Sequence, residues 1–151
     1  MVSSESAPPE ELSVSDVMTV NVVTVRPDET AVEAARKMAE NDVGSVVVVD
    51  EKGTILGIVT EGDIVRRVVA RGLDPSKTRV EDIMTRNPVT IYEDATLAAA
   101  AEYMREKGIG HLPVVNEHGR LVGIISRSDI VRIAPGLIEI LYLREGRGGG
   151  L

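Results

Sequence analysis

The sequence contains no cysteine, no phenylalanine and no tryptophan, and its only aromatic residues are three tyrosines. Without thiols there is neither a disulfide nor a thiolate metal site, a usage that fits a reducing cytoplasm. With so few rings the core must be built from Val, Ile, Leu, Ala and Met, and stacking on single-stranded nucleic acid is disfavoured. Glutamine is missing as well, and the joint depletion of Gln and Cys is in keeping with a heat-adapted source. No apolar run approaches the ~20 residues of a membrane span, and the opening MVSSESAPPEE lacks the basic start and apolar centre of a signal peptide. Basic side chains number 17 against 24 acidic ones, a net charge of −7. Phosphate backbones are bound mainly by clustered Lys and Arg, so neither nucleic acid nor membrane is the expected partner.

What is present is a chain of 151 residues, 43% hydrophobic, long enough to bury a substantial core. Residues 1–12, acidic and carrying Pro8-Pro9, read as a disordered lead. Ser13 and Asp16 can cap a short helical turn, and Val22 to Val25 is extended. Thr30-Ala31-Val32-Glu33 is a capping box that predicts a helix through about Asn41, with Ala34, Ala35 and Met38 on one face. Ser45 to Asp50 suits a strand buried on both faces, and Glu51-Lys52-Gly53 turns the chain into a second strand, Ile55 to Thr60. From Asp63 the apolar positions Ile64, Val65, Val68 and Val69 have helical spacing, ended by Gly72. Leu73 to Arg79 reads as a linker, after which Thr78 and Glu81 can cap the next short turn.

A shift of 66 places then lays the second half on the first, pairing Asp16-Val-Met-Thr19 with Asp82-Ile-Met-Thr85, Thr30 with Thr96, Gly57 with Gly123 and Asp63-Ile-Val-Arg66 with Asp129-Ile-Val-Arg132; 23 of the 51 paired positions from Asp16 to Arg66 are identical, with no gap. Such register marks duplicated structural units. Each copy carries one device: Gly57-Ile-Val-Thr60-Glu-Gly-Asp63-Ile64 and Gly123-Ile-Ile-Ser126-Arg-Ser-Asp129-Ile130. A β-branched strand ends in a hydroxyl residue, and three positions later an aspartate opens a helix. The plain reading is a capping box. The sharper one is a ligand site, because backbone N–H groups at a strand-to-helix junction suit an anion and a carboxylate can accept from two vicinal hydroxyls. A ribose bearing a phosphate makes both demands.

The paired motifs resemble the cystathionine β-synthase (CBS) domain, and the tandem is similar to one Bateman module across residues 13 to about 133. The resemblance implies an α/β fold of two β-α-β-β-α repeats, at 13–72 and 80–134 with 73–79 between them, related by a pseudo-two-fold axis with sheets packed together and helices outside. It also implies two clefts for AMP, ADP, ATP, S-adenosylmethionine or NADH, a regulatory rather than enzymatic role, pairing into a homodimer, and a regulated partner protein that the residues do not identify. Carried over residue by residue, one cleft combines Thr60 and Asp63 with Thr85, Arg86, Pro88, Ile109, Gly110, His111 and Pro113. The other combines Ser126 and Asp129 with Thr19, Val20, Val22, Val43, Gly44 and Ser45. Arg86 and His111 pair in the repeat with neutral Val20 and Ser45, which assigns the phosphorylated adenosine to the first cleft. Arg127, whose counterpart is Glu61, would extend that competence to the second if it turned inward. Arg86 reads equally well as a solvated surface residue.

Enzyme chemistry has little support, since no Ser-His-Asp set or GxxxxGK loop occurs. The two histidines have no carboxylate at metal-ligand spacing, so no metal is expected. The tail, 135–151, has no counterpart in the first half. Its Leu137, Ile138, Leu141 and Leu143 suit a short apolar helix seeking either the domain's own flank or a partner, followed by a flexible glycine end. The competing function is therefore a ligand-free structural or protein-interaction module working through that tail.

Overall fold

The structure, a computed structural model, describes residues 8–142. Secondary structure follows the hydropathy pattern. The β-branched run Ser45–Val49 is strand β2, buried at every residue, and it pairs antiparallel with β3, Ile55–Thr60, and parallel with β1, Thr24–Val25. Helix α1, Ala31–Asn41, begins at the predicted capping box, Thr30 accepting from the Glu33 N–H, and it buries Ala31, Ala34 and Met38. The second copy repeats the pattern with β5 at Ile91–Tyr92, α4 at Leu97–Lys107, β6 at His111–Val115 and β7 at Leu121–Ser126.

The chain divides into two compact units that do not follow the two sequence repeats: one comprises Asn21–Val89, the other Met1–Val20 with Thr90–Leu151. We call them the Asp63 unit and the Asp129 unit. The lead-in segment of each repeat is built into the sheet of the other. In the Asp63 unit the short helix α3, Val80–Ile83, leads into strand β4, Thr85–Arg86, which pairs antiparallel with Gly57 and Ile58 of β3 and completes the order β1-β2-β3-β4. In the Asp129 unit, whose sheet runs β5-β6-β7, Thr19 takes the corresponding place as a bridge to Ile124. Backbone hydrogen bonds repeat the exchange. The Val80 N–H donates to Glu29 O at 2.8 Å and the Ala31 N–H to Thr78 O at 2.7 Å, while Val14 donates to Ala95 O at 2.7 Å and Leu97 to Leu12 O at 2.9 Å.

This crossing explains the glycine that starts each motif. A β-carbon on Gly57 would lie 2.5 Å from Met84 Sδ and 2.8 Å from Thr85 O. One on Gly123 would collide with Met18 and come within 3.0 Å of Thr19 O. Only glycine lets the lead-in backbone approach so closely.

Several expectations change. Residues 8–12, read as part of a disordered lead, include a 3-10 turn at Pro9–Glu11 that contacts α4; residues 1–7 lie outside the described residues. Thr78 and Glu81 do not cap α3, which has no side-chain cap. Its free N–H groups are met instead by the carbonyls of Glu29 and Pro27, so a tertiary backbone partner has displaced the local one. The segment read as a linker, 73–79, is tied to its unit, since Thr78 O and Pro75 O accept from the first two N–H groups of α1. The tail forms a 3-10 turn at Pro135–Leu137 and helix α6, Ile138–Leu141, which packs on α4 with Leu137 and Leu141 buried. It thus covers its own unit's flank. Leu143 and the glycine end lie outside the described residues.

Candidate functional site at the strand-to-helix junctions

Thr60 ends strand β3 and Ser126 ends β7, and each helix begins one residue later rather than at the aspartate. Helix α2 spans Glu61–Ile64 and α5 spans Arg127–Ile133, with Thr60 and Ser126 as N-caps. The aspartate is the third residue of the first turn because the capping box draws it back onto the cap. The Thr60 N–H donates to Asp63 Oδ2 at 2.9 Å, and the Asp63 N–H donates to Thr60 Oγ1 at 3.2 Å. In the other unit the Ser126 N–H donates to Asp129 Oδ2 at 2.9 Å and the Asp129 N–H to Ser126 Oγ at 3.2 Å. The plain capping reading therefore holds at both positions, and it does not exhaust either carboxylate. One oxygen of each serves the backbone; the other turns to an arginine.

The arginines differ. Arg132 Nη2 donates to Asp129 Oδ1 at 2.7 Å, one short charge-assisted bond within a regular helix. Asp63 Oδ1 lies 3.7 Å from Arg67 Nε, and Arg67 Nη1 meanwhile donates to the carbonyls of Ile83 at 3.0 Å and Met84 at 3.2 Å. Those carbonyls end α3 and need outside donors. The chain after Ile64 widens into a π-turn, Val65–Val69, closed by the Ala70 N–H on Val65 O at 2.8 Å. The wide turn also leaves Val65 and Val69 exposed, although helical spacing had grouped them with buried Val68. Turns of this kind recur at functional positions. Asp63 is 6% exposed and is the only buried charged residue among those described.

The family description of the CBS domain matches this chain twice, at residues 14–70 and 80–136. The chain belongs to the CBS domain family. A Methanopyrus kandleri protein is 42% identical over 130 residues, which cover 86% of this chain and 66% of that one, so the chain spans a little under two thirds of that relative. A crystal structure of a conserved Pyrococcus horikoshii protein superposes with a TM-score of 0.76 at 36% identity, covering 82% of this chain and 92% of that one. The CBS domain pair of protein MJ0100, crystallised with methylthioadenosine and S-adenosyl-L-methionine, gives a TM-score of 0.76 at 32% identity, covering 83% and 98%. The mixed α/β fold with its two small sheets is that of these CBS pairs.

Within this CBS pair, the residues carried over from the resemblance sort by unit. Thr60, Asp63, Thr85, Arg86 and Pro88 share the Asp63 unit with Val22, Val43, Gly44 and Ser45, while Ser126, Arg127 and Asp129 share the other with Thr19, Val20, Ile109, Gly110, His111 and Pro113. In the Asp63 unit Ser45 pairs with Thr60 in register, and the Glu61 N–H donates to Gly44 O at 3.1 Å. Thr85 is exposed, and the Arg86 guanidinium donates to Glu81 O at 3.1 Å. In the Asp129 unit His111 stands opposite Ser126 in the ladder, and the Arg127 N–H donates to Gly110 O at 3.0 Å. The Arg127 side chain lies along Gly110 and 5.9 Å from the Tyr142 ring centroid. Val20 is 64% exposed.

Among the described residues no group of three or more His, Asp or Glu is arranged to hold a metal ion, and no helix is long and apolar enough to cross a membrane. Sequence reasoning missed Arg67. Its signal was the Arg66-Arg67 doublet, which the repeat alignment sets against Arg132-Ile133.

Proposed function

We propose that the chain is a regulatory module that binds an adenosyl compound, with Asp63 and Asp129 accepting the ribose hydroxyls. The observation that carries this reading is the repeated junction itself. At positions 66 residues apart, a carboxylate is anchored through one oxygen by the backbone while its second oxygen faces only an arginine side chain of the following turn. A carboxylate fixed from the backbone in this way has lone pairs to accept from a vicinal diol with no movement of its own, the arginine beside it being the group that gives way. The methylthioadenosine and S-adenosylmethionine held by the CBS pair of protein MJ0100 support the ligand class, and AMP, ADP and ATP are the members we assign to the Asp63 junction, with Thr85 and Arg86 on the neighbouring strand. S-adenosylmethionine and NADH complete the set to be tried.

Calorimetry and thermal unfolding with each compound test the reading. A ligand at 100 times its dissociation constant raises stability by about 2.7 kcal/mol, which appears as a rise of several degrees in Tm. No heat and no rise with any of them would refute it. A ligand-free interaction module working through the tail is less well supported, because Leu137 and Leu141 are already buried in the chain's own unit.

A further inference from the structure

The arginine three residues beyond each aspartate is the same residue in both repeats and does different work in each. Arg132 is spent on Asp129, with its guanidinium 2.7 Å from Oδ1. Arg66 is not spent on Asp63. The π-turn brings the next residue, Arg67, to Asp63 Oδ1, and Arg67 is held there by its bonds to Ile83 O and Met84 O. The counterpart of Arg67 is Ile133, which has no charge to offer and stands 41% exposed. Displaced from the carboxylate, the Arg66 guanidinium lies directly over Gly62, where any β-carbon would strike it. It makes no ion pair or hydrogen bond with another described residue. Residue 62 is glycine here and Ser128 in the second repeat, where the Ser128 hydroxyl is 3.0 Å from that of Ser126. The other arginine of this unit assigned to a phosphate, Arg86, already donates to Glu81 O.

We infer that Arg66 is the residue by which the Asp63 junction selects an adenosyl ligand carrying a phosphate ester, and that Arg132 has no such role at Asp129. The inference rests on the reading of Asp63 as the holder of the ribose. A ribose on that carboxylate would carry its 5′ substituent beside the first turn of α2, in which Asp63 itself lies. An unpaired guanidinium lying on the residue next to Asp63 can meet a phosphate there with two parallel N–H donors, without first giving up a partner. Arg132 would have to leave a short bond to Asp129 to do the same.

Adenosine and 5′-AMP, which differ only by the phosphate, are titrated calorimetrically into the full-length Asp129→Asn protein, so that the heat reports the Asp63 junction. In this background AMP is expected to bind at least tenfold tighter than adenosine. Adding Arg66→Met should remove most of that preference while leaving adenosine affinity within about twofold, and Arg66→Lys should restore part of it and keep its salt dependence. In the reciprocal Asp63→Asn background, Arg132→Met should leave the ratio of AMP to adenosine affinity unchanged. An unchanged preference in Arg66→Met, or an equal loss in Arg132→Met, overturns the assignment of Arg66 while leaving the ribose on Asp63. Absence of binding by either compound in the Asp129→Asn background overturns the ribose assignment, and this inference with it.

Discussion

Asp63 and Asp129 sit at the same place in two copies of one motif, each locked by the same two backbone contacts, yet their surroundings diverge four residues later. Arg67, in the middle of a π-turn, ties Asp63 to the end of α3, whereas its counterpart Ile133 ends a regular α5 in which Asp129 pairs with Arg132. Duplication conserves the part of the junction that local geometry dictates, namely the cap, and frees the outward face to take different partners. The comparison can be broken or sharpened by substitution at matched positions.

The largest effect belongs to the feature the two units share most closely. Gly57→Ala and Gly123→Ala should each destabilise by about 2–3 kcal/mol, because the added carbon meets lead-in backbone as well as a flexible methionine. Denaturant unfolding measures this, and a neutral effect at either would show that the crossing tolerates a side chain. Next come the caps. Asp63→Ala and Asp129→Ala should cost about 1–2 kcal/mol each, while Asp63→Asn, which keeps an oxygen for the Thr60 N–H, should cost less than half as much. An Asn variant as unstable as the Ala one would show that charge, not capping, dominates.

Third, Arg67→Ile, which writes the second repeat's residue into the first, should destabilise by roughly 1 kcal/mol by leaving the α3 carbonyls short of a donor. It should also raise amide exchange at Thr85 and Arg86. Unaltered exchange there would mean that the arginine does not hold the lead-in segment. The smallest contrast lies in the hairpin turns. Asp50 Oδ1 accepts from the Lys52 and Thr54 N–H groups, and Asn116 Oδ1 accepts from those of His118 and Arg120. The Thr54 N–H, joined by the Lys52 N–H and the charges of Lys52 and Arg26, outweighs desolvation and holds the Asp50 carboxyl below its ordinary 3.8. A depressed carboxyl stabilises the fold above its unfolded value, and that contribution is lost as pH falls through the folded one. Acid below about pH 4 should therefore loosen the first hairpin before the second, and Asp50→Asn should erase the difference in amide exchange between them. A first hairpin that stays as protected as the second under acid would contradict this.

Much of this was legible in the residues. Capping boxes at Ser13, Thr30, Thr60 and Ser126 are local codes, and each formed as its spacing predicts. The gapless repeat of 66 residues exposed the duplication. The exchange of lead-in segments was hidden, because Met84 and Thr85 look the same locally whichever sheet receives them. Thr78 and Glu81 misled for the same reason: a valid cap signature lost to the carbonyls of Pro27 and Glu29, which lie far away in sequence. Arg86 and Arg127 were visible as candidate cations, but whether each was spoken for depended on Glu81 O and on the Tyr142 ring.

The account turns on the two carboxylates receiving the sugar. Its most direct test is thermal unfolding of the Asp63→Asn, Asp129→Asn double variant with and without a saturating adenosyl ligand that stabilises the wild-type protein. The account predicts that the variant unfolds within a few degrees of wild type when alone and gains nothing from the ligand. A variant that gains as much as wild type would contradict it.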